Sequence, residues 1–117
     1  MLVVGNYDFV CPQGSTFEEV LSFQIDGVPI NLTGYQVSMQ VRRAYGVTPL
    51  ITLTSTPSSG ITINGSAGTV SLLIAYATTE TFEAGQYLYD LELTSAGGNR
   101  KRYLSGLFIV TSEVTVV

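Results

Sequence analysis

The 117-residue chain is 45% hydrophobic yet only 12% charged, with a net charge of −4, where an average soluble domain is about 25% charged. Its length favours one domain, residues 1–117, able to bury roughly two-thirds of its unfolded surface without disulfides or metal. The acidic balance excludes a broad basic face for nucleic acid. The absence of histidine excludes a Ser-His-Asp triad, a Cys-His pair and any His-ligated metal. A lone cysteine, Cys11, excludes an intrachain disulfide and reads as a buried thiol.

Threonine and serine fill the polar positions that Lys, Glu and Ala take in helical proteins, which favours strands and turns. Turn signals recur about every ten residues, from Pro12-Gln13-Gly14 to Gly97-Gly98-Asn99. Short alternating runs lie between them, the pattern of a β-sandwich or barrel. No run approaches the ~20 apolar residues of a membrane span, so no membrane partner is expected. The opening Met1–Phe9 lacks the basic region of a secretory leader.

In chain order, the first strand is expected near Asn6–Cys11. The second runs from Thr16 to about Asp26, with Phe17, Leu21, Phe23 and Ile25 on one face. Asp26-Gly27 is a tight-turn signal, and Pro29 marks the following segment as an edge or bulge. Asn31-Leu32-Thr33 and Asn64-Gly65-Ser66 fit a glycosylation sequon but read better as turn chemistry. The third strand, Tyr35–Arg42, alternates cleanly: Tyr35, Val37, Met39 and Val41 on one face, Gln36, Ser38, Gln40 and Arg42 on the other. Leu50–Thr54 is a short edge strand, and Ile61–Ile63 and Val70–Ile74 follow. Ala77–Gly85 is expected to form a helical turn, capped by Thr78 or Thr79 and ended by Gly85, that crosses between two sheets. Gln86–Leu93 is the seventh strand, and the last begins at Lys101.

The seventh strand, QYLYDLEL, places Asp90 and Glu92 mid-strand. Tyr87, Tyr89, Leu91 and Leu93 share one face, and Leu88, Asp90 and Glu92 the other. A period of two explains both carboxylates as the outer face of a sheet. Pairing with the third strand would bring Asp90 near Arg42 as a cross-strand ion pair. A glycosidase-like carboxylate pair is the chemical alternative, but nothing nearby in the sequence suggests a pocket, a raised pKa or a sugar platform. The chain is therefore read as a non-enzyme, with no catalytic, cofactor or metal residues.

Interface candidates come from three places. Arg100, Lys101 and Arg102 open the last strand and suit either a solvated hairpin tip or docking on an acidic neighbour. Tyr45 lies in a loop, a frequent position for an interface anchor, and Tyr76 follows a strand end. The last strand is apolar on both faces over several residues, so Phe108, Val114 and Val116 are expected to meet another chain along an open edge.

Four segments together resemble a family of small virion structural proteins of tailed bacteriophages, many of them cyanophage proteins. They are YDFVCPQGSTF (Tyr7–Phe17), DGVPINLTGYQVSMQVR (Asp26–Arg42), GQYLYDLEL (Gly85–Leu93) and RYLSGLFIVTSEVT (Arg102–Thr115). The resemblance spans nearly the whole chain and rests on turns and strands. It implies an all-β, immunoglobulin-like antiparallel β-sandwich of about seven to nine strands. It further implies a virion location, in the tail, baseplate or fibre-attachment region more than the capsid, after assembly in the host cytoplasm. The partners would be other virion proteins and copies of the chain itself. Capsid decoration, and a host-receptor or carbohydrate-binding module, remain the alternatives. No catalytic residue comes with the resemblance.

Overall fold

A computed structural model describes residues 5–114 of the protein. In chain order the strands are β1 (Gly5–Asn6), β2 (Phe9–Pro12), β3 (Phe17–Ser22), β4 (Gln24–Ile25), β5 (Val28–Pro29), β6 (Gln36–Arg42) and β7 (Ile51–Ser55). They continue with β8 (Ser58–Ser59), β9 (Ile61–Asn64), β10 (Thr69–Ile74), helix α1 (Tyr76–Thr79), β11 (Gly85–Thr94) and β12 (Arg100–Thr111). The large sheet has the order β1-β12-β11-β6-β7-β8, with β2 also on β12; the small sheet is β3-β10-β9. This is the expected immunoglobulin-like sandwich, with the alternating side chains of two sheets meeting in the core.

The core follows the alternation read from sequence. Val37, Met39 and Val41 of β6 and Tyr87, Tyr89, Leu91 and Leu93 of β11 are buried, as are Val70, Leu72 and Ile74 of β10. Strands β6 and β11 pair antiparallel. An aromatic cluster joins the two sheets. The Phe17 ring of β3 lies 5.6 Å from Phe9 and 5.3 Å from Phe108, and Phe9 lies 4.9 Å from Tyr89. Such ring pairs add stabilisation beyond the area they bury.

The N-terminal segment departs from a single antiparallel strand. It forms two short strands, both parallel to β12. Between them the chain steps across Gly106, where a Cβ would stand 2.5 Å from the Tyr7 carbonyl oxygen. Only glycine admits that approach. The Asp8 carboxylate accepts from the Leu107 amide at 2.9 Å, and the Tyr89 hydroxyl donates to the Tyr7 carbonyl. These contacts dock β1 and β2 on the edge of β12.

That docking corrects the open C-terminal edge. From Leu104 through Thr111 the edge of β12 is covered by the protein's own N-terminal segment, and the Gln13 amide extends the pairing to the Thr111 carbonyl. Phe108 is 0% exposed and belongs to the core, not to an interface. The apolar character of β12 arises because its inward face meets the core while its outward Leu107 and Ile109 stay half-buried. Val114 is exposed, and Val116 lies outside the described residues.

Two further expectations change. The second strand breaks at buried Phe23, so β4 and β5 form a separate hairpin arm whose turn carries positive φ at Asp26 (51°) and Gly27 (79°). This confirms the tight turn but places Ile25 on the arm, exposed, rather than in the core. The arm is anchored by the Phe23 amide on the Gly68 carbonyl at 2.8 Å and the Ile30 amide on the Phe23 carbonyl at 2.9 Å. Helix α1 does cross from the small to the large sheet, but it starts earlier than expected, after Ala75, with no side-chain cap. Thr79 is buried and its hydroxyl donates to the Ser15 carbonyl at 2.8 Å, while Gly85 opens β11 instead of ending the helix. At Asn31 the side-chain oxygen accepts from the Thr33 amide at 3.0 Å, as turn chemistry requires.

Replacing Phe108 by alanine is expected to cost about 3–5 kcal/mol, the range for emptying a large aromatic from a packed core. Denaturant titration of the purified variant measures this, and a loss well below that range would return Phe108 to the surface.

Candidate functional site

The alternation that buries one face of β6 and β11 turns the other face outward. Gln40 and Arg42 of β6, Leu88, Asp90 and Glu92 of β11, and Arg102, Ser105 and Leu107 of β12 form the floor of a groove of about 870 Å³ on the outer face of the large sheet. Asn6 and Asp8 from the docked N-terminal segment close one side. The loop Ala44-Tyr45-Gly46 closes the other. The volume lies within the range of small-molecule sites.

Five residues singled out in the sequence meet here: Arg42, Tyr45, Asp90, Glu92 and Arg102. The expected Arg42–Asp90 ion pair does not form. Register puts Asp90 opposite Gln40 and Arg42 opposite Leu88, so the two are diagonal neighbours. The Arg42 guanidinium turns instead toward its own strand and the next loop, donating to Gln40 Oε1 at 2.7 Å and to the Val47 carbonyl. It thereby holds the base of the Tyr45 loop. Among the described residues, the side chains of Asp90, Glu92 and Arg102 have no hydrogen-bond or ion-pair partner.

Tyr45 is 89% exposed. Its loop is fixed at both ends. The Leu50 amide donates to the Val41 carbonyl at 2.6 Å, and neighbouring Arg43 pairs with Glu83 at 2.8 Å while lying 4.9 Å over the Tyr87 ring. Arg43 was not identified from sequence; its position directly after the alternating run of β6 is the signal that it leaves the sheet and braces the loop. Asn6 and Asp8 were also missed, because the parallel docking of the N-terminal segment brings residues about a hundred positions apart together.

The remaining candidates lie elsewhere. Arg100 and Lys101 are exposed where β12 begins, just after the hairpin turn, in which the Ser95 amide donates to the Asn99 carbonyl at 2.8 Å. Tyr76 is exposed on α1. No group of three His, Cys, Asp or Glu residues placed to hold a metal ion occurs among the described residues.

Two buried protic groups belong to the scaffold, Tyr89 at the groove and Cys11 further along the same sheet. Burial, with the Asp8 carboxylate and Tyr7 beside it, raises the Tyr89 pKa and keeps its phenol protonated. Burial alone pushes the Cys11 thiol from 9.0 up to about 11, which makes it a poor nucleophile.

No family model and no curated protein matches this chain. Among solved structures, the crystal structure of CopC from Methylosinus trichosporium OB3b is similar at a TM-score of 0.50 and 12% identity, covering 93% of this chain and 90% of that one. A structure from photo-crosslinking analyses of the cell-adhesive interactions of VGSC beta subunits gives 0.45 and 14%, covering 94% and 93%. A parallel homodimer structure of the extracellular domain of the voltage-gated sodium channel beta4 subunit gives 0.43 and 12%, covering 93% of each chain. At such an identity the likeness to the CopC structure bears on the sandwich fold alone.

Because the Cys11 pKa is higher in the folded chain, its stability contribution is whole below pH 9 and declines as pH rises through the unfolded value toward about 11. Between pH 9 and 10 unfolding free energy is therefore expected to fall with a slope that Cys11→Ala removes. Denaturant titrations across that window check it, and an unchanged slope in the variant would place the thiol in contact with water.

Proposed function

We propose that this protein is a non-enzymatic structural component of a tailed-bacteriophage particle, an adaptor in the tail, baseplate or fibre-attachment region that contacts other virion proteins and copies of itself. The segments that carry the resemblance are the ones that build the scaffold. Asp26-Gly27 turns the arm, Tyr87 to Leu93 supply the central core strand, and Gly106 seats the N-terminal segment.

The observation that carries the reading is outward-facing apolar side chains in pairs on a weakly charged surface. On the hairpin arm Ile25 and Val28 are cross-strand partners, 52% and 64% exposed. On the small sheet Val20 and Leu73 are both exposed and diagonal across β3 and β10. A two-residue ladder is too short to stand alone in water, so a projecting arm tipped with an apolar pair suits insertion into a neighbouring subunit. Repeated in many copies, such small contacts become strong by avidity.

Purified particles are expected to contain the chain in multiple copies by mass spectrometry. A double Ile25→Asp, Val28→Asp variant is expected to enter particles at least roughly tenfold less than wild type, a change worth about 1.4 kcal/mol. Its thermal unfolding should stay close to wild type because both side chains face solvent. Absence of the chain from particles would refute the role, and unimpaired entry of the variant would remove the arm from it.

A further inference from the structure

The groove on the large sheet has features that assembly through the arm does not use. Asp90, Glu92 and Arg102 line it, half-buried or at its rim, with no partner among the described residues. They sit on neighbouring strands, with Glu92 directly opposite Arg102 in the register and Asp90 two positions along. Adjacent strands lie about 4.8 Å apart. Two carboxylates and a guanidinium on neighbouring strands thus open onto the same groove, where one bound molecule can meet both kinds of group.

Charge narrows the occupant. An anionic ligand would face two unpartnered carboxylates, and a cationic one would face Arg102. A neutral polyol answers both, since each hydroxyl donates to a carboxylate and accepts from a guanidinium. Charge-assisted bonds of this kind are the stronger ones. The apolar surfaces fit as well. Leu88 and Leu107 lie on the floor, and Tyr45 stands 89% exposed at the rim on a loop that Arg42 holds in place. A pyranose has one face of C–H groups, which stacks on an aromatic ring or aliphatic floor, and an equatorial belt of hydroxyls. Without tryptophan in the chain, a tyrosine at the mouth of an open sheet face supplies the platform.

We infer that this groove binds a neutral oligosaccharide, with Tyr45 as the stacking platform and Asp90, Glu92 and Arg102 as the hydroxyl-binding groups. The binding is of carbohydrate without cleavage. Asp90 and Glu92 point from the same face of one strand, and Asp8 on the groove wall is engaged by the Leu107 amide at 2.9 Å, as a fixed structural acceptor. The inference goes beyond the structural role and fails separately from it: a particle subunit with an empty groove remains a particle subunit.

The test is titration of the ¹⁵N-labelled full chain with maltotriose, mannotriose and the N-acetylglucosamine trimer at millimolar concentration. Amide shifts are expected to concentrate at Leu88 to Glu92, Ser105 to Leu107 and Ala44 to Gly46 with at least one of the three. Tyr45→Ala and Asp90→Asn are each expected to weaken that binding by roughly tenfold. Tyr76→Ala, which removes an exposed tyrosine outside the groove, should leave it unchanged. Shifts with none of the three sugars, shifts centred away from the groove, or binding that Tyr45→Ala leaves intact would each overturn the inference. So would binding confined to an acidic trisaccharide or to an extended peptide.

Discussion

Strand β11 is the constraint on which the rest of the structure depends. It sits between β6 and β12, and every second side chain from Tyr87 to Leu93 is inward and buried. A slip of one residue in its register would send Asp90 and Glu92 into the core and four large apolar groups into water. Burying one unpaired carboxylate already costs several kcal/mol, so a one-residue slip is excluded and the inward face is fixed. That choice of face decides what points outward. The carboxylates in the middle of the strand are the outer row of a pattern whose inner row holds the sandwich together.

The second determinant is the N-terminal segment, which closes the sheet. Sheet edges invite pairing with other chains. Here β1 and β2 occupy the edge of β12, and Gly106 lets the backbone step from one to the other. The same docking brings Asn6 and Asp8 to the groove and gives Tyr89 its hydroxyl partner. Edge closure, groove wall and core anchoring are thus one structural event, which is why removing space at Gly106 would disturb all three.

Local signals in the sequence made most of the fold legible. Alternation located β6, β10 and β11 and the buried face of each. Asp26-Gly27 and Gly97-Gly98-Asn99 located turns that carry the positive φ such residues permit. Long-range arrangement was not legible. Nothing local distinguishes a strand end that is covered by its own N-terminus from one left open, so Phe108 was assigned to an interface although it is a core residue. Nor does spacing distinguish a direct cross-strand pair from a diagonal one, which is why Arg42 and Asp90 share a groove without an ion pair. Ile25 was placed inward because alternation continues through Phe23, where the chain leaves the sheet to form the arm.

Together these features describe a rigid sandwich with two distinct outer surfaces, an apolar-tipped arm and small sheet, and a polar groove on the opposite sheet. The proposed particle role requires the first to be covered by neighbours while the second remains open. A cryo-EM reconstruction of a particle containing this protein, with the chain traced in place, tests that division most directly. The account predicts the chain at the tail, baseplate or fibre roots, with Ile25 and Val28 buried against an adjacent subunit and the Tyr45 groove facing solvent. A chain seated on capsomers, or an arm standing free in solvent, would contradict it.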